Sequence, residues 1–182
     1  MSFTDSTYYV RDINLPTADV NSDVDADIAL YEPRILKEVL GYELWALVNA
    51  YVALSSPQRI LDLVEGTTYT IDYNGRTQTI NWNGLKNSDK ISPLAYYVYV
   101  MWQQNHVSNT SNVGETANKV ELSDRVNPSQ KMGSAWHKMR ELWGYYGQHI
   151  TEPSLYNFLV KNESDYPELI FNDVGMLNMF GI

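Results

Sequence analysis

Residues 92–107 read SPLAYYVYVMWQQNHV, and no side chain from 91 to 107 carries a charge. Ser92 suits an N-cap, because its hydroxyl can accept from a free N–H of the first turn. Pro93 suits the first helical position, where a missing N–H costs nothing. A helix with no polar face must be covered on all sides. The stretch therefore predicts the central helix of a mainly helical protein.

Upstream of it, residues 67–82 read TTYTIDYNGRTQTINW and change period. Tyr69, Ile71 and Tyr73 alternate with polar residues, as strands do when one face is buried. Asn74-Gly75 stands between the two alternating runs. Both central residues of a type I′ turn need positive φ, and Asn-Gly adopts it readily, so a β-hairpin is expected over about residues 68–83.

Further upstream, 56–66 reads SPQRILDLVEG, with Ser56 as the expected N-cap, Pro57 as the first helical residue and Gly66 as the stop. In DVDADIALYEPRILKEVLG, Ile28, Tyr31, Ile35 and Val39 fall near one helical face. Pro33 either kinks that helix or begins a second one, and Gly41 is a suitable stop. YELWALVNAYVAL predicts a further short helix. Downstream, Asn127 and Pro128 open a stripe of Met132, Ala135, Trp136, Met139, Leu142, Trp143 and Tyr146 at helical spacing. Lys131, Lys138, Arg140 and Glu141 take its other face, and the apolar stripe reads as core. EPSLYNFLVKN predicts a last short helix.

The fold class expected is mainly α: a helical bundle with an inserted β-hairpin and a long polar loop, forming a single domain over residues 1–182. An extended N-terminal arm is expected over 1–24, the loop over 108–127 and a C-terminal tail over 166–182.

Net charge is −9, unevenly spread: residues 1–32 hold seven acidic groups against one basic, and 128–150 hold one against three. Clustered Lys and Arg, which phosphate binding requires, do not occur, so tight nucleic-acid binding is not expected. With no cysteine, disulfides, thiolate catalysis and Cys-based zinc sites are excluded. The first residues lack a basic and then apolar leader, and the most apolar stretch is too short for a membrane span. A soluble protein made in a cytoplasm is expected.

Asn21, Asp23, Asp25, Asp27 and Glu32 can be laid on the ligand positions of an EF-hand loop, but Ala26 stands where that loop turns sharply on Gly. A solvated, dipole-matched helix start is the better reading. His137 and Glu141 are four residues apart on a predicted helix and read as a surface hydrogen-bonded pair. There is no nucleophile elbow, P-loop or dinucleotide fingerprint. No catalytic residue, metal ligand or cofactor is assigned.

Three features exceed what a monomer needs. Loops beyond about 12–15 residues are usually functional or disordered. A lone two-stranded hairpin is marginal unless it packs on something. MLNMFGI is apolar where chain ends are normally polar. The expected partner-binding residues are Tyr73, Asn74 and Arg76 at the hairpin tip, Val113, Asn118, Glu121 and Arg125 in the loop, and Met179, Phe180 and Ile182 in the tail.

The order of LKEVLGYELW, SPLAYYVYVMW, VGETANKVELSDRVNPSQKMGSAW, SLYNFL and NMFGI over residues 36–182 resembles a family of bacteriophage and prophage neck proteins from Bacteroidetes-type hosts. That family is similar to head–tail connector, or adaptor, subunits. The resemblance implies a structural virion protein, not an enzyme, without cofactor. It implies a homo-oligomeric ring, usually of twelve copies, assembled in the host bacterial cytoplasm and placed at the virion neck. The portal protein lies on one side and the next neck or tail protein on the other. DNA passes through without specific binding, and no membrane is involved. The alternatives are another virion protein, such as a tail-completion or head-decoration subunit, and more remotely a small non-catalytic regulator or an enzyme.

Overall fold

The computed structural model describes residues 2–15, 20–111, 114–117 and 128–172. Helix α1 spans Val20–Asn49, α2 Gln58–Glu65, α3 Pro93–Val107, α4 Pro128–Trp143 and α5 Leu155–Lys161. Strands β1 (Thr67–Tyr73) and β2 (Arg76–Trp82) form one antiparallel hairpin, and β3 (Ser108–Ser111) and β4 (Gly114–Ala117) form another. The fold is mainly α with an inserted hairpin.

α3 is the central helix, packed against both α1 and α4. Every residue from 94 to 100 is buried. Ser92 caps it as the sequence predicts: its Oγ accepts from Leu94 N at 3.3 Å and donates to Leu85 O at 2.6 Å. Two of the tyrosines on this helix use the hydroxyl in a hydrogen bond. Tyr96 donates to Asp12 Oδ2 at 2.8 Å, and Tyr99 accepts from Gln103 Nε2 at 3.1 Å.

α1 continues through Pro33, and its non-helical residue is Gly41, at φ 75° and ψ 165°. A helical axis therefore ends at Gly41 and another begins, while Pro33 starts no separate helix. On both sides of the break the apolar face is fully buried, through Ile35, Leu36, Val39 and Leu40 and then Leu44 and Val48. In α4, Met132, Ala135, Met139 and Trp143 are buried as the stripe predicts. Tyr146 is not part of it: the helix ends at Trp143, Gly144 turns the chain at φ 79°, and Tyr146 is 59% exposed.

β1 and β2 pair from Thr67↔Trp82 to Tyr73↔Arg76, leaving a two-residue turn with Asn74 at φ 52° and Gly75 at φ 71°. Both φ angles are positive, as a type I′ turn requires. Tyr69, Ile71, Ile80 and Trp82 share the buried face. That face packs on α5: Trp82 stacks on Phe158 at 6.0 Å, and Tyr69 meets it edge-on at 5.7 Å. Burying a large apolar side chain contributes about 1.5–3 kcal/mol, so the helix gives the hairpin the support it lacks alone.

Three expectations need correction. The N-terminal arm is not extended, because residues 6–8 and 11–13 form 3₁₀ turns and Phe3, Tyr8, Tyr9, Ile13 and Leu15 are buried in the core. Its apolar side chains recur too irregularly to signal a helix, yet they have enough area to be drawn onto the body. Ser56 does not cap α2, which starts at Gln58 with Pro57 before it; its Oγ instead accepts from Val52 N at 2.8 Å. The segment 108–127 is not all loop, since the β3–β4 hairpin occupies its first half in register Ser108↔Ala117 to Ser111↔Gly114. The acidic run after residue 20 is helical, as the helix-start reading has it.

Candidate partner-binding surfaces

Glu32 is fully buried. No cation reaches its carboxylate from the described residues; the N-terminal segment does. Phe3 N donates to Oε2 at 2.8 Å, Thr4 N donates to Oε1 at 3.0 Å, and Thr4 Oγ1 donates to Oε1 as well. Burial pushes the carboxyl above its ordinary pKa, and these three donors oppose the shift without cancelling it. Burial, and then the neighbouring Glu32 charge, push the Tyr9 phenol well up. Reading Glu32 as part of a solvated helix start is thereby overturned. Its partners lie almost thirty residues away, beyond the reach of any helical pattern.

The rest of the N-terminal segment is held in a similar manner. Phe3 packs on Tyr51 with ring centroids 6.1 Å apart. Tyr8 OH donates to Asn87 O and accepts from Asn87 N, both at 3.0 Å. Lys90 Nζ stands 4.6 Å from the Tyr8 ring centre. Beside these contacts lies an open cleft of about 420 Å³, with Asp5 and Tyr8 on the segment's side and Tyr51, Lys86, Ser88 and Lys90 on the body's. Charges of both signs line it. The Asp5 carboxyl is held below its ordinary value, first by its bond from Thr7 and further by Lys90 and Lys86.

The hairpin tip does not stand free. Tyr73 is half-buried against His149, with rings 5.0 Å apart and its hydroxyl 3.1 Å from Nε2. Asn74 and Arg76 are exposed. The other expected partner residues, Val113, Asn118, Glu121, Arg125, Met179, Phe180 and Ile182, lie outside the described residues.

The first part of the tail docks on the chain's own body. Ile170 N donates to Leu40 O at 3.4 Å, Asn172 N to Val39 O at 3.0 Å, and Asn172 Nδ2 to Glu38 O at 2.7 Å. The last carbonyls of a helix have no intrahelical partner, and here residues 170–172 satisfy the ones left at Gly41. Ile170 is nonetheless 66% exposed, and Tyr42, one residue past the break, is 63% exposed. Tyr42 packs on Trp45 at 5.6 Å, and Lys37 Nζ lies over both rings. Sequence reading missed this patch because its two halves are far apart along the chain.

His137 Nε2 lies 3.2 Å from Glu141 Oε1 in an exposed pair, as its spacing suggests. Among the described residues, no group of three or more His, Cys, Asp or Glu is placed to hold a metal ion, and no helix is long and apolar enough to cross a membrane. Comparison of the chain with family models, with curated proteins and with solved structures finds no match.

Proposed function

We propose that the chain is a structural virion protein, a head–tail connector subunit that forms a homo-oligomeric ring between the portal and the next neck or tail protein. The observation that carries this reading is the β3–β4 hairpin. It leaves directly from the end of the central helix, and its strands are Ser-Asn-Thr-Ser and Gly-Glu-Thr-Ala. Such strands offer almost no apolar area, and an isolated two-stranded hairpin is marginal in water. A partner surface that pairs with it or covers it supplies the missing stabilisation. The hairpin also falls inside the stretch that carries the resemblance to neck proteins.

The exposed Tyr42 and Ile170, with the partly buried Trp45 packed beside Tyr42, support the same reading, since aromatic side chains are favoured at the cores of interfaces. So does the charge distribution: acidic ends and a mildly basic α4 give a ring subunit two complementary patches for head-to-tail contact. The acidic excess also suits a channel through which DNA slides without adhering.

Immunogold electron microscopy of virions from the source, with antibody to this chain, tests the proposal. Gold at the single vertex where head meets tail is the expected result. Gold over the whole capsid would assign a decoration protein instead, and particles without gold would remove the virion reading.

A further inference from the structure

We propose that the N-terminal segment 2–15 is an exchangeable ligand: in the assembled protein, one copy's segment fills the groove around Glu32, Tyr51 and Asn87 of the next. The inference rests on the self-association in the reading above and names the surface that makes it.

Three observations carry it. First, the segment is attached as a bound peptide would be. Among the described residues its backbone–backbone hydrogen bonds are all local, Tyr8 to Asp5, Tyr9 to Ser6, Val10 to Tyr8 and Ile13 to Val10. Contact with the body runs through individual anchors: Phe3 and Thr4 on Glu32, Tyr8 on Asn87, and Asp12 on Tyr96. No strand pairing fixes which chain must supply it.

Second, the groove does not tolerate being empty. Without the segment, the fully buried Glu32 carboxylate loses the Phe3 and Thr4 donors, and the apolar surface under Phe3, Tyr8, Tyr9, Ile13 and Leu15 is bared. Uncompensated buried charge is strongly unfavourable. An identical segment from a neighbour restores every contact, whereas a segment of other sequence does not.

Third, only residues 16–19 join the segment to α1. Exchange of an identical element across a short connection creates an interface with no new side-chain contact needed.

The chain has no cysteine, so introduced ones report without background. Asp5 and Ser88 are both exposed and line the same cleft, one from the segment and one from the body. Asp5→Cys and Ser88→Cys chains are unfolded together, refolded at a concentration where the protein assembles, and treated with a short bismaleimide. The expected result is a covalent species of twice the chain mass, formed from the mixture and from neither variant alone. If the mixture assembles but gives no such species, while a chain carrying both cysteines links internally, exchange is wrong and the ring reading is untouched. If nothing assembles and linking is wholly internal, both fall. Deleting residues 17 and 18 is a second arm. Exchange predicts a larger assembled fraction, and a purely internal segment predicts a less stable monomer with no gain in assembly.

Discussion

A Cβ built on Gly41 would stand 3.1 Å from the Cβ of Ile170. Gly41 also holds φ 75° and ψ 165°, a region that costs other residues about 1–3 kcal/mol. The break in α1 is therefore where the helix ends and where the tail lies against it. Gly41→Ala is expected to destabilise the fold by about 2–3 kcal/mol in urea unfolding. Adding Ile170→Ala should not return the backbone part of that loss. A Gly41→Ala chain as stable as the parent would show that the backbone at the break leaves the positive-φ region without cost.

Glu32→Ala removes the acceptor for three donors, and orphaned buried groups cost about 1–3 kcal/mol each. A loss of at least about 2 kcal/mol is expected, with greater protease sensitivity confined to the N-terminal segment. The pH dependence has a definite sign. Burial raises the folded-state pKa of Glu32, so the folded chain holds that proton to a higher pH than the unfolded chain. Stability from this group is fully present below the ordinary Glu value of about 4.3 and is lost as pH rises through the folded pKa. The stability difference between the parent and Glu32→Gln, measured across that range, should fall with rising pH. A flat difference would mean that the three donors offset burial completely.

Glu168 runs the other way. Arg59 grips it with two bonds, Nη1 to Oε2 at 2.7 Å and Nη2 to Oε1 at 2.8 Å, and also donates to Asp165 O at 2.8 Å. The bond from Arg59 lowers the Glu168 pKa, so its contribution is present above the unfolded value and lost as pH falls through the folded one. Lys cannot make the paired fork. Arg59→Lys is expected to cost about 1 kcal/mol, because the pair is only partly buried. The cost should shrink in acid and in high salt, and a cost insensitive to both would place the effect in packing.

Deleting residues 109–116 removes most of the β3–β4 hairpin. The shortened chain should keep the helical circular dichroism of the parent and a melting temperature within a few degrees of it. Rings visible by electron microscopy should be lost. An unfolded product would make the hairpin part of the core.

The hairpin at Asn74-Gly75, the burial of α3 and the Ser92 cap were legible because each signal lies within a few residues of what it specifies. Turn chemistry needs two adjacent residues, and helical period needs a handful. Glu32 shows where such reading stops: its charge and its place among acidic residues indicate solvent, while its partners sit 29 and 28 positions away. Ser56 fails on a smaller scale, since its hydroxyl had two backbone choices and took Val52.

The sequence by itself determined the main helices and the turn of the first hairpin, and excluded cysteine chemistry. Periodicity, turn residues and composition are properties of the chain alone. Only the tertiary structure decided that the N-terminal segment is a set of anchors on Glu32 and Asn87, and that residues 170–172 complete the helix end at Gly41. These depend on which buried polar groups remain unsatisfied once the helices have packed. That demand is set by the surroundings in space, and a distant part of the chain meets it.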